Sequence, residues 1–145
     1  GGLREKELTY GNSMTLHEHY FANLGGDGKP DGPVTKALGE VFGSQAKWEE
    51  LFRATGGSLG GGSGWTVLSY HLHTDDLRID WSGGHPVNGA FARPLLVLDM
   101  YEHAYQMDYG AAAAKYIDAF FRNVKWEEVN RRYEQALRLA KAMKA

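Results

Sequence analysis

Apolar residues recur along this chain with two different periods. Over residues 12–24, Leu16, Tyr20, Phe21 and Leu24 fall at the spacing that lines one face of a helix. Asn12 or Ser13 is placed to cap that helix, and Gly25-Gly26 to stop it. A glycine- and proline-rich loop follows, from Gly25 to Gly32. Pro33 then opens a second helix, Val34 to Phe42, with Val34, Leu38, Val41 and Phe42 as its stripe. Gly43-Ser44 breaks and recaps the chain for a third helix, Gln45 to Thr55, with Trp48, Leu51 and Phe52 inside. Beyond the glycine-rich run 56–64 the period drops to two. Trp65 to Leu72 alternates as a strand does, His73 to Asp76 has turn composition, and Leu77, Ile79 and Trp81 alternate again. That pattern predicts a hairpin. Residues 82–93 read as loop. Pro94 to Leu98 is a short apolar run, expected of a strand buried on both faces. Two helices close the chain, Ala111 to Asn123 and Trp126 to Lys144. Helices, then antiparallel strands, then helices make an α+β fold. The run 56–64 is read as the boundary between the helical and the β parts, not as a flexible linker.

Composition narrows the function. The chain has 145 residues, enough for one domain or two small packed lobes. With 43% hydrophobic residues it can bury a core. A net charge of −2 speaks against a generic nucleic-acid binder. With no cysteine, disulfides, thiolate zinc sites, iron–sulfur clusters and cysteine nucleophiles are excluded. No apolar run reaches membrane-spanning length and no signal-peptide pattern opens the chain, so a soluble, cytoplasmic protein is expected. The first residues are Gly1-Gly2, without Met, as in a fragment or a processed product.

Six histidines carry the candidate chemistry. Asp99 ends an otherwise apolar strand, where an unpaired carboxylate is costly, and His103 follows four residues later. Oxygen and imidazole donors suit iron, manganese or zinc. The pair also suits a plainer arrangement, with Asp99 capping the next helix and His103 packing. His17 shares a helix face with Tyr20, Phe21 and Leu24, either as a hydrogen-bonded core residue or as a ligand. His19 points about 200° away around that helix and is not expected in the same shell. His85 lies in a Gly-Gly-His-Pro loop. His71 and His73 could form a zinc pair, but a solvated hairpin tip is the expectation.

Asp99-Met-Tyr-Glu-His-Ala-Tyr105 resembles the D-x-W-E-H-A-Y signature of the iron/manganese superoxide dismutases. Other segments resemble that family in the same order. They are Leu16-His17-Glu-His-Tyr-Phe21, Phe42-Gly43-Ser44, Gly62-Ser63-Gly64-Trp65, Pro94-Leu95-Leu96, and Ala119-Phe120-Phe121 through Val124-Lys125-Trp126-Glu127. The resemblance runs from about residue 10 to the C-terminus. It implies a helical segment followed by a three-stranded antiparallel sheet packed with helices. Residues 1–25 would be the remnant of an N-terminal helical domain, and 26–145 the metal-binding C-terminal domain. It also implies one iron or manganese ion per chain, held by three histidines, an aspartate and a solvent.

His17, Asp99 and His103 match three of those four protein ligands. Trp65 matches an aromatic wall of the metal pocket. His85 matches a position whose side chain bonds the metal-bound solvent, and small Ser13 leaves room for that arrangement. Tyr105 resembles a tyrosine near the substrate funnel, and Glu102 a glutamate that crosses a dimer interface. The implied substrate is superoxide, and the implied assembly a homodimer or homotetramer, with no nucleic acid and no membrane. Two departures stand out. Nothing before His17 offers the family's first histidine or its gate tyrosine, and Tyr101 stands where Trp is common. The competing functions are a non-catalytic relative that keeps the scaffold and an unrelated metal hydrolase using Glu18 or Glu102 as base.

Overall fold

The computed structural model describes residues 2–85 and 89–145. The elements are α1 (Gly2–Ala22), α2 (Pro33–Phe42), α3 (Gln45–Ser58), β1 (Trp65–His71), β2 (Asp76–Ser82), β3 (Ala92–Asp99), α4 (Gln106–Tyr109), α5 (Ala113–Arg122) and α6 (Trp126–Met143). A short 3₁₀ turn, Glu102–Ala104, lies between β3 and α4. The sheet order is β2-β1-β3 and both pairings are antiparallel, the three-stranded α+β architecture expected.

The start of α1 differs from expectation. It begins at Gly2, about ten residues before the proposed caps. Gly11 interrupts it without ending it, since a helical glycine costs only ~1 kcal/mol against alanine. Asn12 and Ser13 therefore sit inside the helix, and both have other work there. The stripes are also narrower than drawn. Phe21 and Leu51 are exposed, each one position, about 100°, around its helix from a buried neighbour, Tyr20 and Phe52; Val41 is exposed in the last turn of α2 although it shares the side of Val34. Trp81 is exposed on β2, an edge strand. The 3₁₀ turn and α4 were not anticipated; the segment 100–112 carries no apolar period long enough to announce them.

α3 starts where Ser44 predicts, its hydroxyl accepting the Lys47 N–H at 3.0 Å. It runs past Thr55 through two glycines. Gly56 is there for close approach, since a Cβ on it would stand 2.8 Å from Leu98 Cδ2. That close approach lets α3 pack down on the sheet, against β1 and β2 with Leu98 of β3 beneath Gly56.

The core lies where the helices cover the sheet. Trp48 packs edge-on against Trp126 and Phe121 between α3, α5 and α6. β1 is buried along its whole length, as a central strand covered on both faces must be. Leu95 to Asp99 in β3 are buried too, so the apolar run is the two-sided strand it was read as. Where Ser69 faces Pro94 the register slips by one residue, so Leu95 is the extra residue of a bulge. Proline has no N–H to give the ladder, which is why the slip falls there.

The outer edge of β3 is closed by side chains instead of a fourth strand. The Asn23 carboxamide accepts the Val97 N–H at 2.8 Å and donates to the Val97 carbonyl at 3.2 Å. Arg132 of α6 donates to the Leu95 carbonyl at 3.0 Å, to Asn23 Oδ1 at 3.3 Å and to the His19 carbonyl at 2.9 Å. Glu128 faces the same guanidinium at 3.1 Å and balances its charge. This buried brace fastens the end of α1 to β3, and with it the two elements that carry His17 and Asp99.

Candidate metal centre

Asp99 is the pivot of the site. It closes β3 opposite Trp65, the first residue of β1. Only 1% of its side chain is exposed. Oδ1 accepts the Tyr101 N–H at 2.9 Å, which turns the chain sharply out of the strand. That turn aims Oδ2 the other way, 2.9 Å from His103 Nε2 and 3.3 Å from His17 Nε2. The two imidazole nitrogens are themselves 3.3 Å apart. Asp99 is thus not a helix cap and His103 is not a packing residue, which removes the plainer reading of that pair.

His17 is held in one tautomer by its own helix. Its Nδ1–H donates to the Ser13 carbonyl one turn back at 2.7 Å, leaving the Nε2 lone pair free. Its ring stands edge-on to Trp65, with centroids 4.8 Å apart. Trp65 in turn donates its Nε1–H to His85 Nδ1 at 2.9 Å, so the His85 proton resides on Nε2. Asn12 donates to the His85 carbonyl at 2.9 Å and ties that loop to α1. Burial is the main cause that pushes the His85 imidazole below its ordinary value; the neighbouring His17 and His103 add to it, and Asp99 opposes. His85 is accordingly neutral near pH 7, a single N–H donor beside the cluster.

Tyr101 was noted in the sequence only as a departure from tryptophan. It is a stacked spacer, with its ring 4.7 Å from His85 on one side and 5.6 Å from His103 on the other. No motif spacing reveals that, because the sandwich joins a loop to a turn through space.

Other candidates lie elsewhere. Tyr105 is only 2% exposed, stacked on Tyr116 at 5.0 Å, and its hydroxyl accepts the Gly61 N–H at 3.2 Å. It is a core residue here and not a wall of the cluster. Glu102 is exposed at the start of the 3₁₀ turn, beside His103. His19 bonds the Thr15 carbonyl and stays apart from His17, as expected. His71 is neither half of a zinc pair nor a solvated tip: it is buried, with Nε2 2.9 Å from Asp80 Oδ2. His73 is exposed and stacks on Phe91. The loop read over 82–93 includes residues 86–88, which lie outside the described residues.

The donor set fits a metal ion on chemical grounds. Two imidazole lone pairs and a carboxylate oxygen converge with edges of 2.9–3.3 Å. Three acceptors that close repel one another unless a cation or shared protons lie between them. Metal bonds from nitrogen and oxygen donors of about 2.0–2.2 Å place neighbouring donors roughly 3 Å apart, which matches. Among the described residues, His17, Asp99 and His103 form the one cluster of this kind.

A family model for the C-terminal domain of iron/manganese superoxide dismutases matches residues 30–132. The chain belongs to the iron/manganese superoxide dismutase family. It is 46% identical over 137 residues to an iron superoxide dismutase of Cupriavidus metallidurans, covering 94% of this chain and 70% of that protein. It is 36% identical over 133 residues to superoxide dismutase [Mn] 2 of Haloferax volcanii, covering 89% and 65%. An iron superoxide dismutase of Aquifex pyrophilus is 35% identical over 145 residues, covering 98% and 67%. The chain thus spans about two thirds of the length of the superoxide dismutases it matches. Iron and manganese both occur among their names, so family membership does not choose between the two. Asp99, His103, α5 and the start of α6 fall inside the matched domain; His17 lies ahead of it, on α1.

Proposed function

We propose that this chain carries the metal-binding part of a superoxide dismutase. The reaction consumes two superoxide anions and two protons and yields one oxygen and one hydrogen peroxide. The observation that supports it best is the convergence of three lone pairs, from His17 Nε2, His103 Nε2 and Asp99 Oδ2, within 3.3 Å of one another. A bound iron or manganese would supply a one-electron couple there. The chain's residues supply the rest. Asp99 and the two imidazoles hold the ion with mixed oxygen and nitrogen donors. Trp65 walls the cluster with an apolar face and excludes water. His85 Nε2–H is the proton-bearing group beside it, fixed in that tautomer by Trp65. Substrate is a small anion, so positive potential at the site, to which a bound metal cation would contribute, would speed its capture despite the overall charge of −2.

In this reading residues 1–25 belong with an N-terminal helical domain and 26–145 form the C-terminal domain. The third family histidine would come from outside the motifs present in this chain. The assembly is a homodimer or homotetramer with Glu102 at its interface, and the protein is a cytoplasmic antioxidant enzyme. No helix among the described residues is long and apolar enough to cross a membrane.

The test is metal content, by elemental mass spectrometry on the chain purified without added metal, together with superoxide consumption. About one iron or manganese per chain is the expected result. A chain that takes up neither metal, even when offered, would mean either that the third histidine is essential for binding or that the scaffold is non-catalytic, and supplying the N-terminal segment would separate the two.

A further inference from the structure

The cluster demands that a helix and a strand from distant parts of the chain meet to within 3.3 Å, and two buried tyrosines stand where that meeting is decided. Tyr116 of α5 donates its hydroxyl proton to the Asp99 carbonyl at 2.7 Å. That proton is then committed, so the 2.8 Å contact between the Tyr116 and Tyr20 hydroxyls must be donated by Tyr20. Tyr20 lies on α1, one turn beyond His17 and on the same face. The chain of bonds therefore runs from the helix of one proposed ligand, through α5, to the backbone of another. Both rings are buried, and burial raises both hydroxyls above their ordinary range, so both stay protonated as donors at any working pH. β1 pairs with only one side of Asp99. The Tyr116 hydroxyl holds the peptide from another direction.

We propose that Tyr116, with Tyr20 behind it, is a positioning residue of the metal centre: it fixes the Asp99 peptide plane so that Oδ1 takes the Tyr101 N–H while Oδ2 faces His17 and His103. Neither hydroxyl touches the metal position, and both act through Asp99. The inference rests on the metal-site reading above. Partners one step removed from a metal ligand are commonly worth ten- to a hundredfold in affinity.

The experiment uses cobalt(II) as the probe on the purified 145-residue chain, reading the dissociation constant by competition and the d–d absorption spectrum. Circular dichroism and thermal unfolding of the metal-free proteins serve as the fold control. Tyr116→Phe should bind cobalt about ten- to a hundredfold more weakly and with a changed spectrum. Tyr20→Phe should show a smaller loss in the same direction. Tyr109→Phe alters a ring 6.1 Å from Tyr116 that has no place in the relay, and should change neither reading. Should Tyr116→Phe fail to fold, Tyr20→Phe decides alone. Unchanged affinity and spectrum in the tyrosine variants, with tight wild-type binding, would overturn the positioning role and leave the metal site standing. An equal loss in Tyr109→Phe would overturn it too, as a packing effect. A wild-type chain that takes no cobalt would remove the metal-site reading and this inference together.

Discussion

Asp99 shows how one side chain sets a site through the different demands on its two oxygens. One oxygen ends the strand by taking the Tyr101 N–H, and the other is left to face two imidazoles. Replacing it by alanine removes the only anion of the cluster and leaves two imidazoles to repel each other in the charged state. Asp99→Ala is expected to lose essentially all bound metal, and His17→Ala likewise; full metal occupancy in either, measured by elemental analysis, would contradict the ligand assignment. His85 makes the opposite case. It lies outside the triangle, so His85→Ala should keep its metal and lower turnover. Trp65→Phe should follow the same pattern, because it frees His85 Nδ1 and lets the ring and its proton turn away. A Trp65→Phe protein with wild-type turnover would mean that the tautomer of His85 is not what matters.

At the scale of elements, the joint between α1 and β3 governs the site. That joint is polar and buried, unlike the apolar contacts elsewhere. Removing the Asn23 amide orphans two backbone groups of Val97, and each buried unsatisfied group costs about 1–3 kcal/mol. Asn23→Ala is therefore expected to lower stability by roughly 2–6 kcal/mol in urea unfolding, and to weaken metal binding with it. The Arg132 end depends on Glu128. Hydrogen bonding from Arg131 is the leading cause that holds the Glu128 carboxyl below the usual range, with Arg132 contributing. A depressed carboxylate adds stability above the ordinary pKa, and that stability is lost as pH falls through the folded value. The stability curve should thus drop on the acid side below about pH 4, and Glu128→Gln should flatten that drop while lowering stability at pH 7. A parallel pair of curves for the two proteins would show that the pair contributes nothing.

At the scale of the whole molecule, two features point outward. The outer face of α1 exposes Leu3, Leu8, Tyr10, Met14 and Phe21, and among the described residues nothing covers it. Glu102 projects next to His103 on the rim of the cluster. If Glu102 lies between two copies, Glu102→Ala should shift the mass seen by light scattering toward the monomer and loosen His103. An unchanged mass would place the interface elsewhere.

Some of this was determined by the sequence alone. The two hydrophobic periods located nearly every long element, because a 3.6-residue and a two-residue repeat leave local marks. Ser44 and Pro33 marked helix starts for the same local reason. Asp99 and His103 drew notice because a carboxylate after a wholly apolar strand needs a partner, but the pair also suited a cap and a packing residue, and only the family resemblance joined His17 to them. The start of α1 was misread, since Asn12 and Ser13 are good caps that here serve His85 and His17 instead. What only the tertiary structure decided depends on residues far apart in the chain. Tyr101 became a spacer between two histidines, Tyr105 became core, and His71 found Asp80. Asn23, Arg132 and Tyr116 carried no motif, and Tyr20 showed only as an apolar position of its helix and motif. Local pattern reports which face a residue presents to a core; which polar atom meets it there depends on how helix and strand are laid together.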